Sequence, residues 1–573
     1  MGYATVEGCA QAWESRDGWR PHSRCHVVVR LPNHGGAASR SQVAPCLLHD
    51  CEHNPRVSLD SDRVVAPHAP EFTRGATGDR TVGWGATLLG VAFSGAAVIA
   101  NCPVMALNAL AKRHLAPPTN PIGSGGFRVT YLSRALPLLK VLFDHKCAFE
   151  VDEWEIGRGQ KKLEGIRNSL AYDALDNRRV NMMLKKEVNI VQFATNALPT
   201  KARGIQFCTN LRTAYQNAVE QTSFCHALAD ATATEVQYEG IDFCVRYTAA
   251  MDPAQIAEFA TDCENRRAAF PYSLLDERDG KNWDANVQAE HRAAMADFYG
   301  TISDVLRQQA TEQISVKGSY HGQGVSVRYS VNGTVKSGHW DTSSGNGALN
   351  IEITVQAICR LPPRIRPRMV RGLVMGDDLL LWVYFDHEVS PCEYAGAINA
   401  LEADLGIHPV RGLFQDVLNV SFCSMGFYWT TSGRLAVVPK LGRCFAKLFW
   451  TVTPLQNRAP ERMASTIAHA FYPLYHEYEP MRVFLQHHMK APPIEVENAP
   501  WLSYVWRDFG VPRFPGINWG LGNLVKYGLP LDALFDMAEV LSGFESGLID
   551  HPIVNIMLQQ DMADPPERRG VLA

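Results

Sequence analysis

The sequence predicts an α+β fold. Helix-like patterns at 136–143, 210–228 and 291–309 are mixed with strand-like runs at 324–331 and 373–385, without repeating as strand–helix–strand units. The composition, 46% hydrophobic and 20% charged, is that of an ordinary globular protein and excludes wholesale disorder, collagen and coiled coil. With 573 residues there is room for several domains, or for one large enzyme built of subdomains.

The 55 basic and 59 acidic residues nearly cancel, so any contact with nucleic acid must come from a locally basic surface. Fourteen cysteines are too sparse for a disulfide scaffold in a chain this long. There is no CxxC pair and no secretory signal peptide, which predicts reduced thiols in the cytosol.

Taken in order, residues 1–80 are rich in Gly, Pro, Ser and Arg and poor in periodicity, and are expected to be poorly ordered. A short strand is expected at 26–30. Cys46, His49, Cys51 and His53 are zinc-type ligands at a spacing that matches no strong zinc signature. Residues 81–111 contain no charge. That run exceeds the ~20 residues of a bilayer helix. Asn101, Pro103 and four glycines suit a buried soluble hairpin equally well, so 81–115 is read as either a membrane anchor or a buried hairpin.

The segment 373–383 carries the chemistry. An apolar run enters Gly376-Asp377-Asp378 and another leaves it, the pattern of two buried strands joined at a tight turn. Adjacent carboxylates there are costly unless cations neutralise them, so a divalent-metal site is expected; Gly and Asp are also ordinary turn residues. Upstream, Asp276, Glu277, Asp279 and Asp284 form a second acidic segment, either a solvated turn or a further metal ligand. Between them Ser337, Gly338, Thr342 and Asn346 read as a flexible loop entering a helix, with Thr342 and Asn346 on one face. Lys185, Lys186, Lys201 and Arg203 alternate with other residues in extended segments, a pattern that suits a triphosphate or a solvated strand.

In this order the segments resemble the RNA-dependent RNA polymerases of positive-strand RNA viruses, particularly the tombusvirus-like and nodavirus-like enzymes. The resemblance spans about residues 150–445. Motif A has two aspartates five apart, matched by Asp279 and Asp284; anchoring on Asp276 would put Lys281 second. Motif B, Ser-Gly-x-x-x-Thr-Ser-x-Gly-Asn, is matched from Ser337 to Asn346. Motif C is Gly376-Asp377-Asp378, motif F contains Lys186, Lys201 and Arg203, and motif E is matched at 420–425 by Phe422, Cys423 and Ser424.

The resemblance implies a right hand of fingers, palm and thumb with an RRM-like antiparallel palm sheet. Fingers would take 116–270 with motif F at 185–206, the palm 271–431 with motif B at 337–350, and the thumb 432–573. Asp279, Asp377 and Asp378 would be catalytic and hold two Mg²⁺ ions, or Mn²⁺. Asp284, Ser337, Gly338, Thr342 and Asn346 would select the NTP ribose. Lys186, Lys201 and Arg203 would bind triphosphate, and Phe422, Cys423 and Ser424 would grip the primer strand. Lys440 and Arg443 are candidate phosphate contacts. The segment after motif C has no lysine between 394 and 418, leaving His408 or Arg411, a poor acid, to protonate pyrophosphate.

The function implied is RNA-directed RNA synthesis replicating a viral genome. Its partners would be template and nascent RNA, NTPs, other viral replication proteins or further copies, and a host intracellular membrane at its cytosolic face. A non-catalytic membrane-anchored RNA-binding subunit of a replication complex is the alternative. The intact acidic triad stands against it, and Asp284 and Gly376 stand against a reverse transcriptase.

Overall fold

A computed structural model describes residues 211–280, 282–322, 325–339, 341–451, 459–493, 514–542 and 551–563, the helix Pro137–Lys146 and shorter segments elsewhere. The fold is α+β. Its centre is a mixed six-stranded sheet. The strands used below are β1 (Ile241–Tyr247), β2 (Tyr272–Gly280), β3 (Met369–Met375), β4 (Asp378–Phe385) and β5 (Pro409–Phe414). The helices are α1 (Pro253–Arg267), α2 (Ser344–Cys359) and α3 (Pro391–Asp404).

The sheet runs from an edge strand, Val236–Tyr238, through β1, β3, β4 and β2 to β5. Four of these strands, β3, β4, β2 and β5, pair antiparallel. With the helices and hairpin inserted between β2 and α2 set aside, they follow the order β2–α2–β3–β4–α3–β5, a split βαβ arrangement. One departure from an all-antiparallel sheet is that β1 joins the β3 edge in parallel. Because β2 and β3 both run antiparallel to β4, their C-terminal ends lie at the same end of the sheet. That end receives Asp279 from β2 and the turn after Met375 from β3.

Alternation along the strands explains the two layers. Leu274, Val370, Val374, Leu379, Leu381 and Val383 pack with Ile351, Val355 and Ile358 of α2 and with Tyr394 and Ile398 of α3. Leu275, Leu373, Leu380, Trp382 and Tyr384 pack with Ile256, Phe259 and Cys263 of α1 and with Phe422, Phe427 and Val437. With both faces covered, β3 and β4 require the nearly continuous apolar run seen in the sequence. α1 starts cleanly: Pro253 opens it and Asp252 and Gln255 form a reciprocal capping box.

The chain then forms β6 (Ser421–Phe422), β7 (Met425–Trp429) and β8 (Leu435–Pro439), a three-stranded antiparallel sheet. C-terminal helices follow, among them Pro460–Tyr475, Glu479–His488, α4 (Trp519–Tyr527) and α5 (Pro552–Met562). They bury a separate aromatic-rich cluster including Phe445, Phe449, Tyr475, Tyr478, Phe484 and Trp519.

Some elements differ from the sequence expectation. The pattern at 291–309 is two helices, Ala289–Tyr299 and Asp304–Glu312. Ser303 interrupts it, its hydroxyl accepting from the backbone N–H groups of Val305 and Leu306. The strand around 26–30 is Cys25–Arg30, paired with Val325–Asn332 in a second six-stranded sheet. That part of the N-terminal region is therefore built into a sheet.

The described parts of the uncharged segment are strands. Ala86–Leu88 pairs with Trp450–Thr451, Val91–Phe93 with Gly547–Ile549, and Ala96–Ile99 with Asn189–Gln192. Leu89 is buried in the aromatic-rich C-terminal cluster, and its N–H donates to Phe449. Among the described residues no helix is long and apolar enough to cross a membrane. Cys46, His49, Cys51 and His53 lie outside the described residues. Cys225, Cys244, Cys263, Cys359, Cys392, Cys423 and Cys444 are free thiols.

Candidate active site

Met375 pairs with Asp378, so Gly376 and Asp377 form a two-residue hairpin turn. Gly376 has φ +62°, the left-handed region that such turns require at their first position and that glycine enters without strain. Arg278 pairs with Leu379, and continuing that register by one residue brings Asp279 to Asp378 at the end of the sheet. Directly opposed residues have Cβ atoms within ~5.5 Å. Asp279 is exposed at the end of β2, whereas Asp276 is fully buried. The two aspartates therefore have different work.

Asp276 belongs to a buried ion network. Arg411 Nε donates to Asp276 at 2.6 Å, Arg411 Nη2 to Glu402 at 3.0 Å, and Arg278 Nη1 to Glu402 at 2.6 Å. Tyr394 donates its hydroxyl to Asp276 at 3.2 Å. Two cations and two carboxylates balance where an unpaired charge is prohibitive. Burial works against the Arg411 charge, but Asp276 and Glu402 outweigh it and hold the guanidinium above its ordinary pKa. Arg411 is thus a structural cation, which removes it as a proton donor to pyrophosphate. His408 lies one residue before β5, partly exposed.

The turn is held from α2. Asn350 Nδ2 donates to the carbonyls of Gly376 at 2.9 Å and Asp377 at 3.2 Å. Gly347, one turn earlier, lets the helix approach: a Cβ there would lie 2.8 Å from the Tyr247 ring and 3.8 Å from the Gly376 nitrogen. The Tyr247 and Ser343 hydroxyls hydrogen-bond at 2.7 Å, and Ser343 lies 3.4 Å from the Met375 sulfur. Tyr247, Gly347 and the role of Asn350 were missed by sequence reasoning. Asn350 was legible as the polar residue one helical turn beyond Asn346.

The loop before α2 closes on itself. Gly338 has φ +106°, its N–H donates to the Thr342 hydroxyl at 3.0 Å, and that hydroxyl donates to the Lys336 carbonyl at 3.2 Å. Thr342 thus precedes the helix, which begins at Ser344, instead of sharing a helical face with Asn346. Ser337 and Asn346 are buried. Asp341 anchors the loop through His339 and, at 2.9 Å, Arg292. Burial opposes its ionisation, but Arg292 and His339 prevail and keep it below the usual carboxylate range.

Asp284 is buried and ion-paired with Arg113, a partner far away in sequence. Its backbone carbonyl accepts from Val335 at 2.9 Å, which ties the acidic segment to the Ser337 loop. Arg203 lies on Ala202–Gln206, opposite Met183 of Arg179–Leu184. Lys185, Lys186 and Lys201 lie outside the described residues.

The 420–425 segment is a hairpin beside the acidic turn. Cys423 and Ser424 form its tip, with φ +50° and +64°. Burial and then the neighbouring Asp378, which hydrogen-bonds the thiol, push the Cys423 pKa well up. Phe422 is a core residue at 2% exposure, so it supports the hairpin and has no surface with which to grip a strand. Arg443 donates to the Ser424 hydroxyl at 2.9 Å. Lys440 is buried and donates to the Asp561 carbonyl, so it is not a cation on an exposed turn.

By donor chemistry, Asp279, Asp377 and Asp378 are hard oxygen ligands that suit Mg²⁺ or Mn²⁺. In the geometry described, no group of three or more His, Cys, Asp or Glu among the described residues is gathered to hold an ion. Comparison with known proteins finds no family model and no curated protein that matches this chain.

Proposed function

We propose that this chain is an RNA-directed RNA polymerase, joining nucleotides from NTPs to an RNA 3′-hydroxyl to replicate a positive-strand viral genome. One observation carries the reading: Asp279 follows the Arg278–Leu379 pair of β2 and β4, at the end of the sheet where β4 begins with Asp378 beside the Gly376–Asp377 turn. The split βαβ order supports a palm within a right hand, and the 420–425 hairpin beside Asp378 supports a primer-side element. Asp279, Asp377 and Asp378 would hold two Mg²⁺ ions, which when bound supply charge neutralisation and an activated hydroxyl.

The chain's own residues then position. Asn350 fixes the turn that presents Asp377, and Gly347 sets the distance of α2 from it. The Ser337–Gly338 loop is closed by Thr342 and would open as RNA advances. Asp284 contacts a ribose hydroxyl only by sharing or leaving Arg113. A polar Asp284 leaves room for a 2′-hydroxyl where a bulky ring would exclude it.

The alternative reading is a non-catalytic RNA-binding subunit of a replication complex. The readings separate in one experiment. Full-length protein is given a primed RNA template, Mg²⁺ and labelled NTPs, and template binding is measured alongside. Template-dependent product supports the polymerase; template binding with no product under Mg²⁺ or Mn²⁺ supports the subunit.

A further inference from the structure

Behind the 420–425 hairpin, where β6 and β7 meet α4 and α5, lies a small recess of about 20 Å³ that opens to solvent. Lys440, Lys526 and Arg568 line it together with Asp561, and Asn419, Gln560 and Tyr527 supply neutral polar groups. Glu277 reaches it through Arg568, whose Nη1 donates to both carboxylate oxygens, at 2.5 and 2.6 Å, and to Ser421 at 2.8 Å. Three cations thus face two carboxylates, a net charge of +1 with the lysines protonated.

The carboxylates are largely engaged. Asp561 accepts from the Gly442 N–H at 2.8 Å and from the Tyr527 hydroxyl at 3.2 Å. The ammonium groups are less so, since each can donate three bonds. Lys526 donates to the Leu418 carbonyl and lies 5.0 Å from the Tyr428 ring centroid; Lys440 donates to the Asp561 carbonyl at 3.3 Å. Gly426 leaves Lys526 its space, because a Cβ there would sit 3.1 Å from the ammonium nitrogen.

We propose that this recess is a binding site for a phosphate-class oxyanion, held by Lys440, Lys526 and Arg568. A tetrahedral oxyanion offers several acceptors to donors converging from three directions and cancels the excess positive charge. Burial lowers the Lys526 pKa to about 7 and that of Lys440 to about 8, each against its ordinary value of 10.5. An anion restores the charged form, so affinity falls as pH rises through this range. The groups facing the lysines are Asp561, Glu277, Arg568, Tyr428, Tyr527 and, at the hairpin end, Arg443.

The test is thermal unfolding of the full-length protein against inorganic phosphate and sulfate at fixed ionic strength, with chloride as control. Sulfate keeps its charge with pH and is run at about pH 6 and about pH 9. The expected result is a saturable rise in Tm with phosphate and sulfate, weaker by at least about fivefold in apparent affinity at the higher pH. Lys526→Met should abolish it. Gln560→Glu, a near-isosteric change at the half-buried rim whose ligand-free unfolding curve checks the fold, should weaken it at least about fivefold. Equal shifts with chloride, no shift at all, or an unchanged response in Gln560→Glu would overturn the proposal. A second arm adds an RNA oligonucleotide. Loss of the phosphate response on RNA binding assigns the site to backbone phosphate, and an unchanged response assigns it to free phosphate; both keep the oxyanion class.

Discussion

Asn350 is bonded directly to the backbone of Asp377. Its amide donates to that carbonyl at 3.2 Å and to the Gly376 carbonyl at 2.9 Å. The turn that carries two of the three candidate metal ligands is therefore held by the buried helix α2 as well as by its own hairpin. Asn350→Leu keeps the volume and removes both donors. It should cost about 1–3 kcal/mol of stability. Nucleotide incorporation should fall more than template binding does, measured on the same preparation. Equal loss of both would make Asn350 a general support for the fold.

Gly347 and Tyr247 occupy each other's space. With 2.8 Å between the Tyr247 ring and a Cβ at 347, Gly347→Ala should destabilise by about 1–3 kcal/mol. Tyr247→Leu in the same chain should recover part of that loss, read as a coupling energy in a double-mutant cycle. Strict additivity of the two substitutions would refute the contact.

Glu352 sits fully buried on α2 and caps the helix Pro137–Lys146, accepting from the N–H groups of Leu138 and Leu139, each at 3.3 Å. Burial raises its pKa to about 7 from an ordinary 4.5. A carboxyl with a raised folded pKa binds more protons folded than unfolded between those two values. Its contribution to stability is thus present at low pH and lost as pH rises from 4.5 through 7. Relative to Glu352→Gln, the wild type should lose on the order of 3 kcal/mol across that interval. Denaturant unfolding of both proteins at several pH values measures it, and parallel pH profiles would contradict it.

Arg411 holds Asp276 and Glu402 in the core. Arg411→Leu leaves two buried carboxylates sharing Arg278 and should destabilise by about 3–5 kcal/mol. If Arg411 is purely structural, the pH profile of nucleotide incorporation by the surviving folded protein keeps its shape. A changed profile would return Arg411 to proton transfer.

The contrast between Asp276 and Asp279 shows what the sequence could reveal. The apolar runs around Gly376-Asp377-Asp378 spelled out a hairpin covered on both faces, and that is the geometry of β3 and β4. The choice of Asp279 rests on motif spacing; the structure puts it at the exposed end of β2, one residue after the Arg278–Leu379 pair. Pairings across long separations were not legible. Asp284 is matched to Arg113, which lies 171 residues away, and nothing local to either residue signals the pair. Lys440 reads as an exposed turn cation because its burying partners, Asp561 and Lys526, lie on α5 and α4. The break at Ser303 was hidden because Phe298, Tyr299, Leu306 and Ala310 all face the core, so the apolar period runs on across it.

The most direct measurement is single-turnover extension of a primed RNA template by the wild type, Asp279→Asn and Asp377→Asn, with template affinity measured in parallel. Both substitutions keep size and remove charge from the end of the sheet. If that end carries nucleotidyl transfer, both variants fold and bind template normally, and incorporation falls by about a thousandfold or more. Incorporation by either variant at the wild-type rate would contradict the account.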